Sequence, residues 1–164
     1  MIRKANVNDI NNIMEIINDG KSFLKEQGIS QWSEEYPNIQ IIKEDLDDIY
    51  LCIRDNKIVG CISIKHYIES YYNKIDGKWA CDTNNYTTLH RLSVKKEYYR
   101  CGVAKELFAF AIKYSKQLEV DSIRVDTKKE NKIMNDLFIK MGFSYCGVVY
   151  AFDKFALEAY ELKM

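Results

Sequence analysis

Apolar and polar residues follow two different rhythms along the chain, and each rhythm predicts one kind of secondary structure. Apolar residues recur every three or four positions in four stretches, which predicts helices over 7–27, 39–46, 104–115 and 131–141. Short apolar runs between polar residues predict seven strands, over 2–5, 50–54, 58–65, 89–94, 122–126, 143–151 and 156–162. Asn6 and Asp9 are typical of a cap before the first helix, and Gly20 can divide that helix in two.

The order of these elements is β-α-α-β-β-β-α-β-α-β-β, which predicts an α/β (α+β) fold with helices packed on a mixed sheet. Residues 67–86 are polar, aromatic and irregular, and we interpret them as an insertion between two strands. With 164 residues, one Pro and seven Gly, the chain offers a sizeable core and no flexible linker. Residues 1–164 are therefore expected to form a single domain.

Charge and cysteine content argue against several broad classes of function. The 24 basic residues balance the 24 acidic ones, which is unlike a general nucleic-acid or membrane-surface binder. Five cysteines without a Cys-x-x-Cys pair, together with two histidines, disfavour a zinc site and a disulfide framework. No apolar stretch is typical of a signal peptide or a membrane span, so the reducing cytoplasm is the expected location.

The turn after the strand at 89–94 carries the most specific chemical signal. A helix is predicted to begin after Gly102, where its first backbone N–H groups lack partners and the helix dipole adds positive charge. The small residues Gly102 and Ala104 let a large anion approach this backbone, and Arg100 and Lys105 add positive charge. The pattern therefore predicts a site for a pyrophosphate group.

Two motifs in this order resemble the GNAT superfamily of acyl-CoA N-acyltransferases. The run Tyr99-Arg100-Cys101-Gly102-Val103-Ala104 is similar to the family's Gln/Arg-x-x-Gly-x-Gly/Ala loop, with Tyr99 in place of Gln or Arg. The run from Asn131 through Leu137-Phe138 to Gly142-Phe143 resembles the family's Asn-x-x-Ala-x-x-Leu-Tyr-x-x-x-Gly-Phe. The segments Leu-His-Arg-Leu-Ser-Val and Gly-Ile-Ser-Gln-Trp are also similar to the family, so the resemblance spans nearly the whole chain.

The resemblance implies a mostly antiparallel sheet of about six or seven strands, with about four helices on its faces and a splayed parallel pair at 89–94 and 122–126. It also implies acetyl-CoA as a co-substrate and no metal. The backbone of Leu92, Ser93 and Val94 is then expected to pair with the pantetheine arm, as in β-augmentation. The resemblance further assigns phosphate contacts to six residues, Arg100, Cys101, Gly102, Val103, Ala104 and Lys105. Asn131 matches the residue that contacts the pantetheine region.

The implied reaction is attack of an amine on a thioester, which requires a group that removes the amine proton. His90 is the candidate base, because it shares strand parity with Leu92 and Val94 and because imidazoles titrate close to neutral pH. The family commonly has Glu on this strand, whereas this chain has none. A backbone N–H near 92–94 is expected to stabilise the oxyanion. The alternatives to His90 as the base are a structural role for this histidine and a loop carboxylate, Glu34, Glu35 or Asp82.

For the leaving thiolate, the family often takes an acid from the Tyr of its Leu-Tyr pair. Phe138 occupies this position here and cannot donate a proton. Tyr145 and Tyr150 are the alternatives, and Tyr150 is taken as the candidate. A thiol with a pKa of about 8.5 also leaves tolerably without an acid. Exposed aromatic loops often bind ligands, so the candidates for the acceptor site, with core packing as the alternative, are Trp32, Tyr36 and Trp79.

These expectations favour an enzyme that transfers an acetyl group from acetyl-CoA to a primary amine of a small molecule, peptide or protein. The transfer is expected to occur by direct attack in a ternary complex, in a monomer or a homodimer. The alternative is a non-catalytic module that senses acetyl-CoA, which Phe138 and the missing strand Glu favour. A nucleotide-binding domain is a weaker alternative, since the chain has no Walker lysine-serine pair and no suitably spaced ribose-binding acid.

Overall fold

The computed structural model describes all 164 residues, in four α-helices and eight strands. The helices are α1 (Ile10–Glu26), α2 (Ile39–Glu44), α3 (Val103–Gln117) and α4 (Lys132–Lys140). The strands are β1 (Ile2–Lys4), β2 (Ile49–Arg54), β3 (Lys57–Lys65), β4 (Ile75–Gly77), β5 (Tyr86–Val94), β6 (Ser122–Thr127), β7 (Ser144–Ala151) and β8 (Phe155–Lys163). Every predicted helix and strand is present. None of the helices combines the length and the apolar character needed to cross a membrane.

The eight strands are hydrogen-bonded in the order β1-β2-β3-β5-β6-β8-β7-β4. β5 and β6, in the middle of this order, run parallel, with Tyr86 to Thr88 opposite Ser122 to Arg124. The pairs β1–β2, β2–β3, β4–β7, β6–β8 and β7–β8 are antiparallel. The predicted mixed and mostly antiparallel sheet with a central parallel pair is confirmed, with eight strands in place of the expected six or seven.

The additional strand is β4, which lies inside the segment that we interpreted as an irregular insertion. β4 has three residues, too few for alternating polarity to reveal a strand. It pairs with β7 where Gly77 lies opposite Gly147, and both glycines have φ of 139°. A Cβ on either glycine would collide with the backbone of the opposite strand. The pairing of β4 with β7 therefore depends on both glycines.

The chain divides into two compact units, Met1–Ile64 with His90–Phe110 and Lys65–Leu89 with Ala111–Met164. Each unit combines segments that are distant in the sequence, and β5 and α3 contribute residues to both. The organisation of residues 1–164 as a single domain stays a prediction.

In the first unit, α1 and α2 pack on β2 and β3. Their shared core is fully buried and consists of Ile13, Ile16, Ile17, Ile42, Ile49, Leu51 and Cys61. Asn6 and Asp9 form the predicted cap as a capping box. α1 is continuous through Gly20, so this glycine does not divide the helix as the sequence suggested it could. Gly20 has a packing role. A Cβ on Gly20 would lie 2.5 Å from Ser93 Oγ and 2.8 Å from the Trp32 ring.

In the second unit, the insertion is part of the packed core. The core cluster contains Tyr72, Tyr86, Val149, Leu157 and Ala159. The indole N–H of Trp79 donates a 2.9 Å hydrogen bond to the Tyr72 carbonyl. Beside it, Arg124 on β6 forms a buried ion pair with Glu161 on β8 at 2.9 Å, and its guanidinium lies 4.3 Å from the Trp79 ring.

Candidate functional site

The turn between β5 and α3 has the backbone geometry that the predicted anion site requires. Arg100 and Gly102 have positive φ angles of 63° and 79°, in the region that favours glycine. A Cβ built on Gly102 would have no atom within 4 Å, so the space in front of this backbone is open. The residues present therefore fit a diphosphate group, whose oxygens must come close to a bare backbone.

α3 begins immediately after this turn. Its first helical hydrogen bond runs from the N–H of Glu106 to the carbonyl of Gly102, over 3.1 Å. The N–H groups of residues 103–105 precede this bond and lie at the positive end of the helix dipole. Arg100 and Lys105 are exposed at the same end of α3 and add positive charge.

The side chains of the turn divide into an exposed and a buried set. Cys101 is exposed, like its neighbours in the turn, whereas Val103 is 1% exposed. Val103 packs over Gly60 of β3, where a Cβ would come 2.7 Å from Val103 Cγ1. The backbone N–H is thus the part of Val103 that is available for the predicted phosphate contact, and Ala104 is half-buried beside it.

Tyr99, at the position where the family has Gln or Arg, fastens the turn to α1. Its hydroxyl donates to the Asp19 carbonyl over 3.1 Å, and its ring packs edge-on against Phe23 with 5.3 Å between centroids. The N–H of Lys96 donates to Asp19 Oδ2 over 2.9 Å. Burial and the carboxylates of Asp19 and Glu26 raise the pKa of Tyr99 to about 12. Tyr99 therefore keeps its proton at neutral pH and serves as an anchor of the turn.

β5 contains an irregularity at Arg91, whose φ is 55°. Such a residue interrupts the alternation of side chains along a strand. The expectation that His90 shares a face with Leu92 and Val94 requires an uninterrupted strand. Because the alternation is interrupted at Arg91, the even spacing of these residues no longer shows that their side chains lie on one face of the sheet. His90 is half-buried, and its role as a base stays a prediction.

The side chains after the irregularity contact α1 and the residues around α2. Arg91 lies 5.2 Å over the ring of Tyr36, and its Nε is 3.3 Å from Oδ2 of the buried Asp45. Ser93 is buried, and its hydroxyl donates a 2.8 Å hydrogen bond to the Ile16 carbonyl. The predicted contact of Ser93 with the pantetheine arm is therefore left to its backbone. Leu92 and Val94 are half-buried.

The three aromatic residues predicted to line the acceptor site each have a packing partner. Trp32 is half-buried and packs against the core of the first unit. Tyr36 belongs to the same unit, and its ring contacts the Arg91 guanidinium. Trp79 belongs to the second unit and stacks on Arg124. These contacts agree with packing, which is the alternative for all three residues. The role of the three residues in acceptor binding stays a prediction.

In the second motif, the side chains of Asn131 and Phe138 have structural roles. Asn131 caps α4, because its Oδ1 accepts a 3.2 Å hydrogen bond from the N–H of Met134. Phe138 is 3% exposed and packs against the ring of Tyr160, with 5.2 Å between centroids. The proposed contact of Asn131 with the pantetheine region stays a prediction.

The two tyrosine alternatives for the acid lie on β7 in different surroundings. Tyr150 is 41% exposed and borders an open cavity of about 580 Å³. Tyr145 is hydrogen-bonded to Glu158, and this bond, with burial, raises the pKa of Tyr145 to about 12. A proton is thus harder to remove from Tyr145 than from an ordinary tyrosine.

A carboxylate on β6 escapes prediction from the sequence. Oδ2 of Asp126 accepts hydrogen bonds from the hydroxyls of Tyr71 and Tyr72, over 2.7 and 2.8 Å. Tyr71 borders the same cavity as Tyr150. The sequence shows only that Asp126 is an acidic residue in a strand that also contains Ile123. No local pattern relates Asp126 to Tyr71 and Tyr72, which lie 55 and 54 positions away in the chain.

Solved acetyltransferase structures share this fold. A GNAT-family acetyltransferase from Streptococcus agalactiae is 28% identical, with a TM-score of 0.92 over 100% of this chain and 95% of that chain. One from Listeria monocytogenes is 22% identical, with a TM-score of 0.78 over 100% and 94%. A provisionally named streptothricin acetyltransferase from Bacillus anthracis, solved with acetyl coenzyme A, is 23% identical, with a TM-score of 0.56 over 71% and 61%.

The arrangement of sheet, turn and helix is thus that of an acetyltransferase. The model of the acetyltransferase (GNAT) family matches residues 11–143, and the chain belongs to this family. Both the turn before α3 and the helix α4 lie within the matched residues. No curated protein matches the chain.

Proposed function

We propose that this protein transfers the acetyl group of acetyl-CoA to a primary amine of a small molecule, peptide or protein, by direct attack in a ternary complex. The observation that carries the proposal is the open turn at Gly102, which precedes α3 in a chain of the acetyltransferase family. The complex of the Bacillus anthracis protein with acetyl coenzyme A supports the choice of acyl donor.

The groups proposed to hold the diphosphate are the N–H groups of residues 102–105 and the exposed side chains of Arg100 and Lys105. Positive charge and free donors at one helix end are what a diphosphate requires. The backbone of Leu92 and Val94 is proposed to pair with the pantetheine arm as an added strand does.

Acetyl-CoA supplies the acyl group as a thioester, and the amine nitrogen forms the amide bond as the carbon–sulfur bond breaks. His90 is proposed to accept the proton that the amine loses, directly or through a water molecule. A backbone N–H of β5 near Leu92 stabilises the negative charge that develops on the carbonyl oxygen. The sulfur leaves as a thiolate, or takes a proton from Tyr150.

A second candidate function is a non-catalytic module that binds acetyl-CoA as a signal. The observation that favours this function is Phe138, which is buried. It occupies the position of the family's tyrosine and has no hydroxyl that could donate a proton. In this case the turn before α3 would bind acetyl-CoA in the same way, and no amine would be acetylated.

Release of free CoA distinguishes the two functions. The protein is mixed with acetyl-CoA and a panel of amines: a polyamine, an aminoglycoside, a lysine-containing peptide and a peptide with a free N-terminus. CoA is measured by chromatography, because the exposed thiol of Cys101 would react with thiol reagents. We expect amine-dependent release above amine-free and protein-free controls, with the acetylated product visible by mass spectrometry. Binding of acetyl-CoA without release across the panel would favour the sensing module.

A further inference from the structure

Arg54, the last residue of β2, contacts the turn before α3 at two points. Its Nη1 donates a 3.0 Å hydrogen bond to the carbonyl of Cys101. Its Nη2 donates a 2.9 Å hydrogen bond to Oε2 of Glu106, in the first turn of α3. One guanidinium thus spans the turn from the residue before Gly102 to the start of the helix.

The contact with Cys101 fixes a direction as well as a distance. The Cys101 carbonyl and the Gly102 N–H belong to one peptide group, which is planar and trans, so the two point in opposite directions. A carbonyl held towards Arg54 therefore directs the Gly102 N–H away from Arg54. This peptide joins Cys101 to Gly102, and Gly102 has a positive φ, as does Arg100 one residue before Cys101. A glycine backbone that is not held in place has alternative conformations here.

The contact with Glu106 acts on the helix side of the turn. The Arg54 guanidinium lowers the pKa of Glu106, mainly through their hydrogen bond, so the carboxylate is charged at neutral pH. The N–H of Glu106 in turn donates to the Gly102 carbonyl. Both carbonyls that flank the Gly102 backbone are thus engaged, one by Arg54 and one by the residue that Arg54 holds.

We propose that Arg54 is a positioning residue, which presets the turn at Gly102 to receive a diphosphate and so favours CoA over acyl carriers that lack one. The proposal rests on the proposed function of this turn. In this role Arg54 acts on the ligand through the backbone of the turn, which its two hydrogen bonds hold in place.

Calorimetry with CoA, compared with turnover of acetyl-CoA and S-acetylpantetheine, tests this role. S-acetylpantetheine has the same thioester and pantetheine arm but no diphosphate. For Arg54→Gln we expect CoA affinity to fall at least tenfold, kcat/KM for acetyl-CoA to fall in parallel, and kcat/KM for S-acetylpantetheine to stay within twofold of wild type. Arg54→Lys, which keeps the charge but cannot span both acceptors, should lose part of the affinity.

Arg3→Gln is the matched control, because Arg3 lies in the same unit and bonds to the Asp9 carboxylate and the Lys4 carbonyl, neither of which belongs to the turn. It should leave CoA affinity and the ratio of the two carriers unchanged. Unchanged CoA affinity in folded Arg54→Gln, or an equal loss with both carriers, would overturn the positioning role while leaving the acetyltransferase proposal intact. Failure of the wild-type protein to bind CoA would overturn both proposals.

Discussion

The hydroxyl of Tyr71 donates a 2.7 Å hydrogen bond to Oδ2 of Asp126, and Tyr72 donates to the same oxygen over 2.8 Å. Both donors come from the insertion, and the acceptor lies on β6. Burial, followed by the charge of Asp126, raises the pKa of both tyrosines well above the usual value of 10. Neutral hydroxyls on a charged carboxylate thus join the insertion to β6.

The free energy of unfolding should therefore fall as the pH rises above about 10. The unfolded chain releases these protons from about pH 10, whereas the folded protein retains them, so this stabilisation is complete below pH 10 and is lost above it. Tyr71→Phe should cost about 1.5–3 kcal/mol at neutral pH and should make the alkaline decline shallower. Urea unfolding between neutral and alkaline pH measures both effects. Tyr67→Phe, at an exposed residue of the same segment, is the control. An alkaline decline as steep in Tyr71→Phe as in wild type would contradict this account.

At Gly102, a negative charge should weaken acetyl-CoA binding by at least tenfold, which is about 1.4 kcal/mol. Asp and Asn have almost the same size and both tolerate positive φ, so Gly102→Asp and Gly102→Asn differ mainly in charge. Calorimetry should show the large loss in Gly102→Asp and a smaller one in Gly102→Asn. Wild-type affinity in folded Gly102→Asp would exclude this turn as the phosphate site.

Phe138 should matter for stability and little for turnover. Phe138→Leu leaves a gap beside Tyr160 and should cost about 1–2 kcal/mol, less than the roughly 3–5 kcal/mol typical of Phe→Ala. Phe138→Tyr places a hydroxyl in a buried setting, which lowers stability, while turnover should stay equal or rise. Urea unfolding and CoA release measure the two effects separately. A large loss of turnover in Phe138→Leu, with CoA affinity and folding intact, would show that this position does take part in the reaction.

Local patterns were sufficient to predict most of the fold. The helices follow a 3.6-residue repeat, and the turn at Asp55-Asn56 joins β2 to β3 as a hairpin with φ of 47° and 59°. β4 could not be predicted, because three residues carry no periodicity and its pairing depends on Gly77 and a glycine 70 positions later, Gly147. The structure of the insertion is likewise set by distant partners of Tyr72 and Trp79.

The candidate site was predictable where its chemistry is local. A strand, a turn with Gly102 and a helix start are consecutive in the chain, so the turn could be predicted from residues 89–107. Arg54 is 47 and 52 positions from its partners, and no local pattern indicates such a contact. The positive φ of Arg91 was also not predictable, since arginine gives no signal for this conformation.

Replacement of His90 should lower the turnover of the enzyme and leave its affinity for acetyl-CoA unchanged. The irregularity at Arg91 removes the argument from strand parity, but β5 contains no carboxylate, and His90 is the imidazole of this strand. His90→Gln keeps hydrogen bonding but cannot take up the amine proton, so kcat should fall by about two orders of magnitude. The loss belongs to the chemical step, and the Kd for acetyl-CoA from calorimetry should stay near wild type. The wild-type rate should also decline towards acidic pH, because a protonated imidazole accepts no proton, and this decline should change in the variant.

His66→Gln is the control, since His66 is the other histidine of the chain and bonds to Asn85 in the second unit. Full activity of His90→Gln with an unaltered pH profile would instead assign the proton to bulk water or to a loop carboxylate such as Glu34, Glu35 or Asp82.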